Sequence, residues 1–320
     1  LLGALPEITD PHDVMWAHDN LLFITDAENE EERRDTLLVF SLEDLSLVGR
    51  LGGSERFRIQ PAHSIELYPQ PGRFVVNSSG KVSIYDYDLE LLSEFEHAGS
   101  TYSFEPFGDN LVAREIHRED NIGYYRLNLY DADLNVLREL CRKEFEGRAF
   151  SGDFSKKVYG GELYVAGRTD DFLIEVFDLE GSVARRIQHD YERVEVTARH
   201  RDEHMNSLVS RPGWERFFSS REEVEEYFRN LVVFPQRFPA IRMIFVDDER
   251  IYALTNAQIG ETREIWILDL QGELQGKKLV PFRMRTALRG YPFTVHGGHV
   301  YQLIPDDATG RWELFRADIR

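Results

Sequence analysis

Cysteine is almost absent: Cys141 is the single thiol among 320 residues, so no internal disulfide forms and a cysteine-built metal or redox centre is excluded. Long apolar runs are missing as well. No window approaches 18 uninterrupted apolar residues, which excludes a membrane-spanning helix. Positive charge is scarce, with 38 basic side chains against 57 acidic ones and a formal charge of −19, so most of the surface repels phosphate backbones and nucleic acid is not an expected partner. The cradles G-x-x-x-x-G-K-[ST], G-x-S-x-G and G-x-G-x-x-G do not occur, and NTP, serine-hydrolase and dinucleotide chemistry lose their usual backbone supports. The first residue is Leu1, which fits a processed or trimmed chain.

What is present is a globule's share of apolar side chains, 42%, arranged with a period. A β-rich segment ending in an aromatic or Leu, usually followed by Asp, recurs around Phe40, Tyr85, Tyr130, Phe177, Leu268 and Phe315, at steps of 45, 45, 47, 91 and 47 residues. Each copy follows another short apolar run, such as Leu21 to Thr25 or Ile251 to Thr255, and most precede a further one across a polar turn. Counting the segments before each pair gives about four strands per repeat, the size of one propeller blade. The expected fold is all-β, a six-bladed β-propeller forming a single domain over residues 1–320. A helical solenoid is disfavoured because short runs of Tyr, Phe, Val and Ile suit strands.

Two irregularities interrupt the period. The doubled step holds no second alternating pair between Tyr191 and Gln236; instead Ser220-Arg221-Glu222-Glu223 is a capping box opening a helix with Val224, Phe228 and Leu231 on one face. Residues 191–236 therefore read as a helical insert between blades 4 and 5. The chain also ends right after the sixth copy, leaving that blade without an outer strand. Leu1 to Leu5 supply it in a clasp that removes a sheet edge.

The segments Ile244-Phe245-Val246-Asp247 to Leu254, Glu264-Ile265-Trp266-Ile267-Leu268-Asp269-Leu270-Gln271-Gly272 and Glu175-Val176-Phe177-Asp178-Leu179-Glu180-Gly181 resemble blades of the bacterial six-bladed β-propeller proteins related to NHL repeats. The Pro and Phe cluster ahead of Ile241 is similar to an insert that many of them carry. Blades two, three and six lack the Asp before the inner pair or the closing Gly. The resemblance implies an exported protein, periplasmic, at the cell surface or extracellular, and often lipid-tethered. It also implies a non-catalytic role: binding a protein or glycan partner, with no cofactor. Some relatives by fold are metal-dependent lactonases or lyases, and a divalent metal in the central channel belongs to that alternative.

Propellers gather ligands at a mouth of the central channel, and the residues at comparable phases are His12, Asp13, His63, Glu105, Arg242 and Phe293, each placed near the start of an inner strand. Two His, two carboxylates and an Arg suit a metal or an anion, although no Asn accompanies them as in a lactonase-like ligand set. The insert concentrates aromatics outside the repeat, and Trp214, Phe217, Phe218 and Tyr227 are its interface candidates. His200-Arg201-Asp202-Glu203-His204 has zinc-protease spacing but reads as a solvated helix face. Asp86-Tyr87-Asp88 and Asp131-Ala132-Asp133 read as turns rather than calcium loops, lacking the Gly and the distal Glu of such loops. Asn77-Ser78-Ser79 is formally a glycosylation sequon, discounted because the resemblance points to bacteria. For Cys141, flanking Arg142 and Lys143 would lower the thiol pKa if all three met, against the plainer description of a half-buried thiol.

Overall fold

A computed structural model describes residues 1–29, 34–52, 66–70, 72–78, 81–96, 101–120, 122–144, 149, 154–210, 213, 214, 217–285 and 290–320. Its strands form six antiparallel four-stranded sheets. The first five are simple meanders whose innermost strands are Pro11–His18, Glu66–Gln70, Thr101–Phe107, Ser155–Tyr159 and Ile241–Asp247. The sixth is ordered Gly3–Ala4, Trp312–Asp318, His299–Pro305, Phe293–His296, so the N-terminal strand is its outer edge. Leu2 N–H donates to the Leu314 carbonyl and Leu5 N–H to that of Trp312, each at 2.8 Å. The molecule is a six-bladed β-propeller closed by its first residues.

Each sheet is covered on both faces, which explains why its second strand reads as an unbroken apolar run rather than an alternating one. Successive side chains go to opposite neighbours. In the first sheet, Leu22 and Ile24 join a cluster with Leu303 and Leu314 of the sixth sheet, while Phe23 between them packs on Phe74 and Val76 of the second. The same division holds round the ring: six apolar clusters each sit between two adjacent sheets.

The Asp that follows the third strand in the second to fifth sheets is a turn device. Asp86 Oδ1 accepts from the N–H groups of Asp88 and Glu90, Asp131 Oδ1 from Asp133 and Asn135, and Asp269 Oδ1 from Gln271 and Glu273. The residue before the last donor is left-handed: Leu89 (φ 67°), Leu134 (φ 64°), Gly181 (φ 75°) and Gly272 (φ 97°). Glycine occupies that place in the fourth and fifth sheets, and leucine accepts a cost of about 1 kcal/mol in the second and third.

Polar bridges tie the inner strands to one another. Ser155 Oγ accepts from Ile244 N–H at 2.8 Å, Asp247 Oδ2 from Gly297 N–H at 2.7 Å, and the Asp19 carbonyl lies 2.9 Å from His296 Nε2. These link the fourth sheet to the fifth, the fifth to the sixth and the sixth to the first.

Between the fourth and fifth sheets the chain leaves the ring as two helices, α1 (Ala198–Val209) and α2 (Arg221–Leu231). Its neck is a short ladder, with Phe238 N–H donating to Val194 O and Val196 N–H to Gln236 O at 2.8 Å. Ser220 caps α2, accepting from Glu223 N–H at 3.3 Å while Glu223 Oε2 accepts from Ser219 N–H. The helices share a small core of Val209, Val224 and Phe228, walled by Met205, Leu208, Trp214 and Phe218. No described helix is long and apolar enough to cross a membrane.

Candidate binding site

A cleft of about 550 Å³ opens between α1 and the fifth sheet, on the face where the inner strands begin. Arg199, His200 and Glu203 of α1 form one wall; Arg242, Asn256, Gln258 and Arg263 of the sheet form the other. Its position follows from the insert's neck. Asn256 Nδ2 donates to the Pro239 carbonyl at 2.8 Å and fastens the returning chain to the sheet, so that the first turn of α1 overhangs the hairpin joining Arg250–Ile259 to Thr262–Asp269.

The helix start sets the orientation of His200. Thr197 is the N-cap and its hydroxyl accepts from His200 N–H, while His200 Nδ1 accepts from Thr197 N–H at 3.2 Å, a capping box with imidazole in the usual place of a carboxylate. With Nδ1 accepting, the proton of the neutral ring lies on Nε2. Burial first, then the charge of Arg199, lowers the pKa of His200 despite Glu203, and the ring meets Phe238 edge-on at 5.0 Å.

Arg263 is 4% exposed. Among the described residues its guanidinium meets only the Asn256 carbonyl and Met284 Sδ, each at 3.5 Å, and its Nε has no hydrogen-bond partner. Desolvation, reinforced by Arg242, pushes its pKa down to about 10. Glu203 spends one oxygen on Arg199 at 2.8 Å, and its other oxygen is buried without a partner.

Among the described residues, those nominated from sequence at the channel mouth, Glu105, Arg242 and Phe293, do not converge. Glu105 is the fifth residue of Thr101–Phe107 rather than a strand start, and the pleat turns it toward the next sheet, where it accepts from Lys156 Nζ at 3.1 Å and Val158 N–H at 2.9 Å. Phe293 packs edge-on against Phe282 and Phe245. His12 and Asp13 lie in the strand Pro11–His18, whose side chains at those positions are outside the described set, as is His63 altogether. Arg242 belongs to the cleft. Of the insert aromatics, Trp214 and Phe218 pack in its core, whereas Phe217 and Tyr227 are 75% and 47% exposed.

His200, Glu203, Asn256, Gln258 and Arg263 were not anticipated as one site. The nearest sequence signal is the His200 to His204 motif: Arg201 and Asp202 are exposed on it, while His200 and Glu203 are half-buried and line the cleft. His204 turns instead to Phe234. Among the described residues no three His, Cys, Asp or Glu side chains converge as metal ligands. At the opposite mouth His18, Lys157, Asp247 and His296 face one another; His296 Nδ1 is 3.2 Å from Asp247 Oδ2. Cys141 is 5% exposed and its thiol is pushed up to about 12, mainly by burial, the reverse of an activated thiol.

No protein-family model matches the chain, and no curated protein does. Solved structures similar to it are propellers of low identity. The β-propeller domain of the Trilobed protease from Pyrococcus furiosus is 15% identical, with a TM-score of 0.45 over 98% of this chain and 82% of that one. Kluyveromyces lactis Hsv2 is 10% identical, at 0.42 over 98% and 74%. BamB from Moraxella catarrhalis is 8% identical, at 0.33 over 95% and 71%. The fold rests on the six sheets of the chain itself.

Proposed function

We propose that this propeller is a non-catalytic binding protein, related to the bacterial NHL-type propellers and exported, whose glycan ligand seats in the cleft between α1 and the fifth sheet. Residues 191–236 then act as an attachment to a single propeller domain, adding one wall to a site the repeat alone lacks. The observation that carries this reading is the cleft itself, about 550 Å³ and within the range of small-ligand sites. Its walls alternate donors and acceptors, Asn256, Gln258, His200 and Glu203, beside the apolar ring of Phe238. That mixture suits the hydroxyls and apolar face of a sugar.

The test is a glycan array probed with the purified chain and with Gln258→Trp, which places a ring at the cleft rim from an exposed strand position. A glycan bound by the parent and lost by the variant supports the reading. Equal binding by both, no glycan bound, or a ligand recovered chemically altered defeats it.

A further inference from the structure

Resting on that reading, we propose that the sugar bound in the cleft carries a phosphate monoester, its oxygens completing Arg263 while a neighbouring hydroxyl donates to Glu203.

A guanidinium withdrawn from water keeps its charge only at high cost unless an anion offsets it. Three other arginines among the described residues follow that rule. Arg185, with its side chain 22% exposed, is held by Glu162; Arg126, at 20%, by Glu119 at 3.2 Å; Arg168 takes both oxygens of Glu175. Arg263 is more deeply buried than any of these and has no carboxylate within ion-pair distance among the described residues. The two contacts it does make, to a carbonyl and a thioether at 3.5 Å, are long for hydrogen bonds and supply no negative charge.

The surroundings define the missing anion. Three guanidinium groups, Arg199, Arg242 and Arg263, line the cleft against the one carboxylate of Glu203. In a chain of formal charge −19 this is a local reversal of sign, and it favours a doubly charged oxyanion over a carboxylate. Glu203 refines the class further. Its buried, unpartnered oxygen repels a bare anion but accepts from a hydroxyl, so the ligand that satisfies both orphaned groups presents a phosphate and a hydroxyl together. His200, neutral with its proton on Nε2, is a further donor in the lining.

The experiment is titration calorimetry of the intact chain with glucose 6-phosphate, glucose and inorganic phosphate at constant ionic strength. Glucose 6-phosphate is expected to bind most tightly, inorganic phosphate more weakly, and glucose without detectable heat. Arg263→Met removes an unpaired charge, folds at least as stably as the parent, and loses glucose 6-phosphate at least about 10-fold, the loss expected of a charge-assisted contact. Glu203→Gln weakens the sugar phosphate while leaving inorganic phosphate unchanged. Should Arg263→Met fail to fold, Arg263→Lys, which keeps charge but not the planar fork, replaces it and is expected to weaken both phosphates. Absence of binding by both phosphates, or equal binding in the Arg263 variant, overturns the proposal. A glycan-array ligand that Gln258→Trp loses, with no response to either phosphate, leaves the cleft standing as the ligand seat and removes only the phosphate.

Discussion

Asn77 of the second sheet and Phe104 of the third are joined by a reciprocal pair of hydrogen bonds, Asn77 Nδ2 to the Phe104 carbonyl and Phe104 N–H to Asn77 Oδ1, both 2.8 Å. Both residues are buried, so truncation at Asn77 strands a backbone donor and acceptor away from water. Asn77→Ala is expected to lower stability by about 2–4 kcal/mol, the cost of leaving two buried polar groups unpaired. The urea midpoint measures it; a midpoint unchanged from the parent contradicts the bridge. The same burial predicts that the sequon at Asn77 stays unglycosylated in a eukaryotic host, as intact mass would show.

Gly272 closes the turn after the third strand of the fifth sheet at φ 97°, and a Cβ placed there would lie 2.6 Å from Ile187 Cγ1 and 3.1 Å from its Cβ. Ile187 is β-branched and stiff, so it cannot swing aside. Gly272→Ala combines backbone strain with overpacking and should cost about 2–4 kcal/mol. Gly276, in the next strand, is the control, since a Cβ added there would meet nothing within 4 Å. Equal thermal midpoints for the two alanine variants would refute the account.

Asp247 and His296 make stability depend on pH. Burial weakens the basicity of His296, but the hydrogen bond and charge of Asp247 outweigh it and the pKa is raised. Burial likewise opposes ionisation of Asp247, and its bonds from His296 and Gly297 N–H prevail, so that pKa is lowered. The histidine contribution is full below about 6.5 and fades as pH climbs through the raised folded value; the aspartate contribution is present above about 3.9 and fades as pH falls through the depressed one. His18 at the same mouth works oppositely, since burial lowers its pKa and acid penalises the folded state, and burial lowers the pKa of Lys157 in the same sense. Stabilisation by the pair is therefore greatest between about pH 4 and 6.5. His296→Gln should flatten the alkaline shoulder of a melting-temperature profile, and an identical profile in both proteins would discard the coupling.

The clasp predicts cooperativity between the chain ends. Removing residues 1–5 exposes the edge of Trp312–Asp318 and takes Leu5, fully buried against the first and sixth sheets, out of its cluster. A drop in the melting temperature of the whole chain is expected, with faster hydrogen exchange in Trp312–Asp318. Unaltered exchange there would show that the pairing contributes nothing.

Cys141 should resist alkylation in the folded protein. At 5% exposure, with the pKa pushed up to about 12, it holds almost no thiolate at pH 8. Iodoacetamide labelling is expected only after denaturation, and rapid native labelling would place the thiol elsewhere.

The propeller was legible because its physics is local and repeated. The apolar runs, the turn Asp at 86, 131, 178 and 269, the capping box at Ser220 and the missing outer strand after Phe315 each report on neighbours a few residues away, and six copies averaged out the weak ones. The inner strand Ser155–Tyr159 is not legible in the sequence because Ser-Lys-Lys-Val-Tyr has no apolar alternation, and the partner that holds Lys156, Glu105, lies 51 positions away.

Composition, period and turn chemistry by themselves determined the blade number, the clasp and the place of the insert, since these depend on backbone pairing that any strand-forming run of the right length satisfies. Only the tertiary structure decided the site. Arg263 looks like any strand arginine until α1 folds over it, and Glu105 looks like a channel carboxylate until the pleat aims it at Lys156. Whether a polar side chain lacks a partner depends on what the rest of the chain brings within about 3 Å of it, and sequence distance carries no record of that.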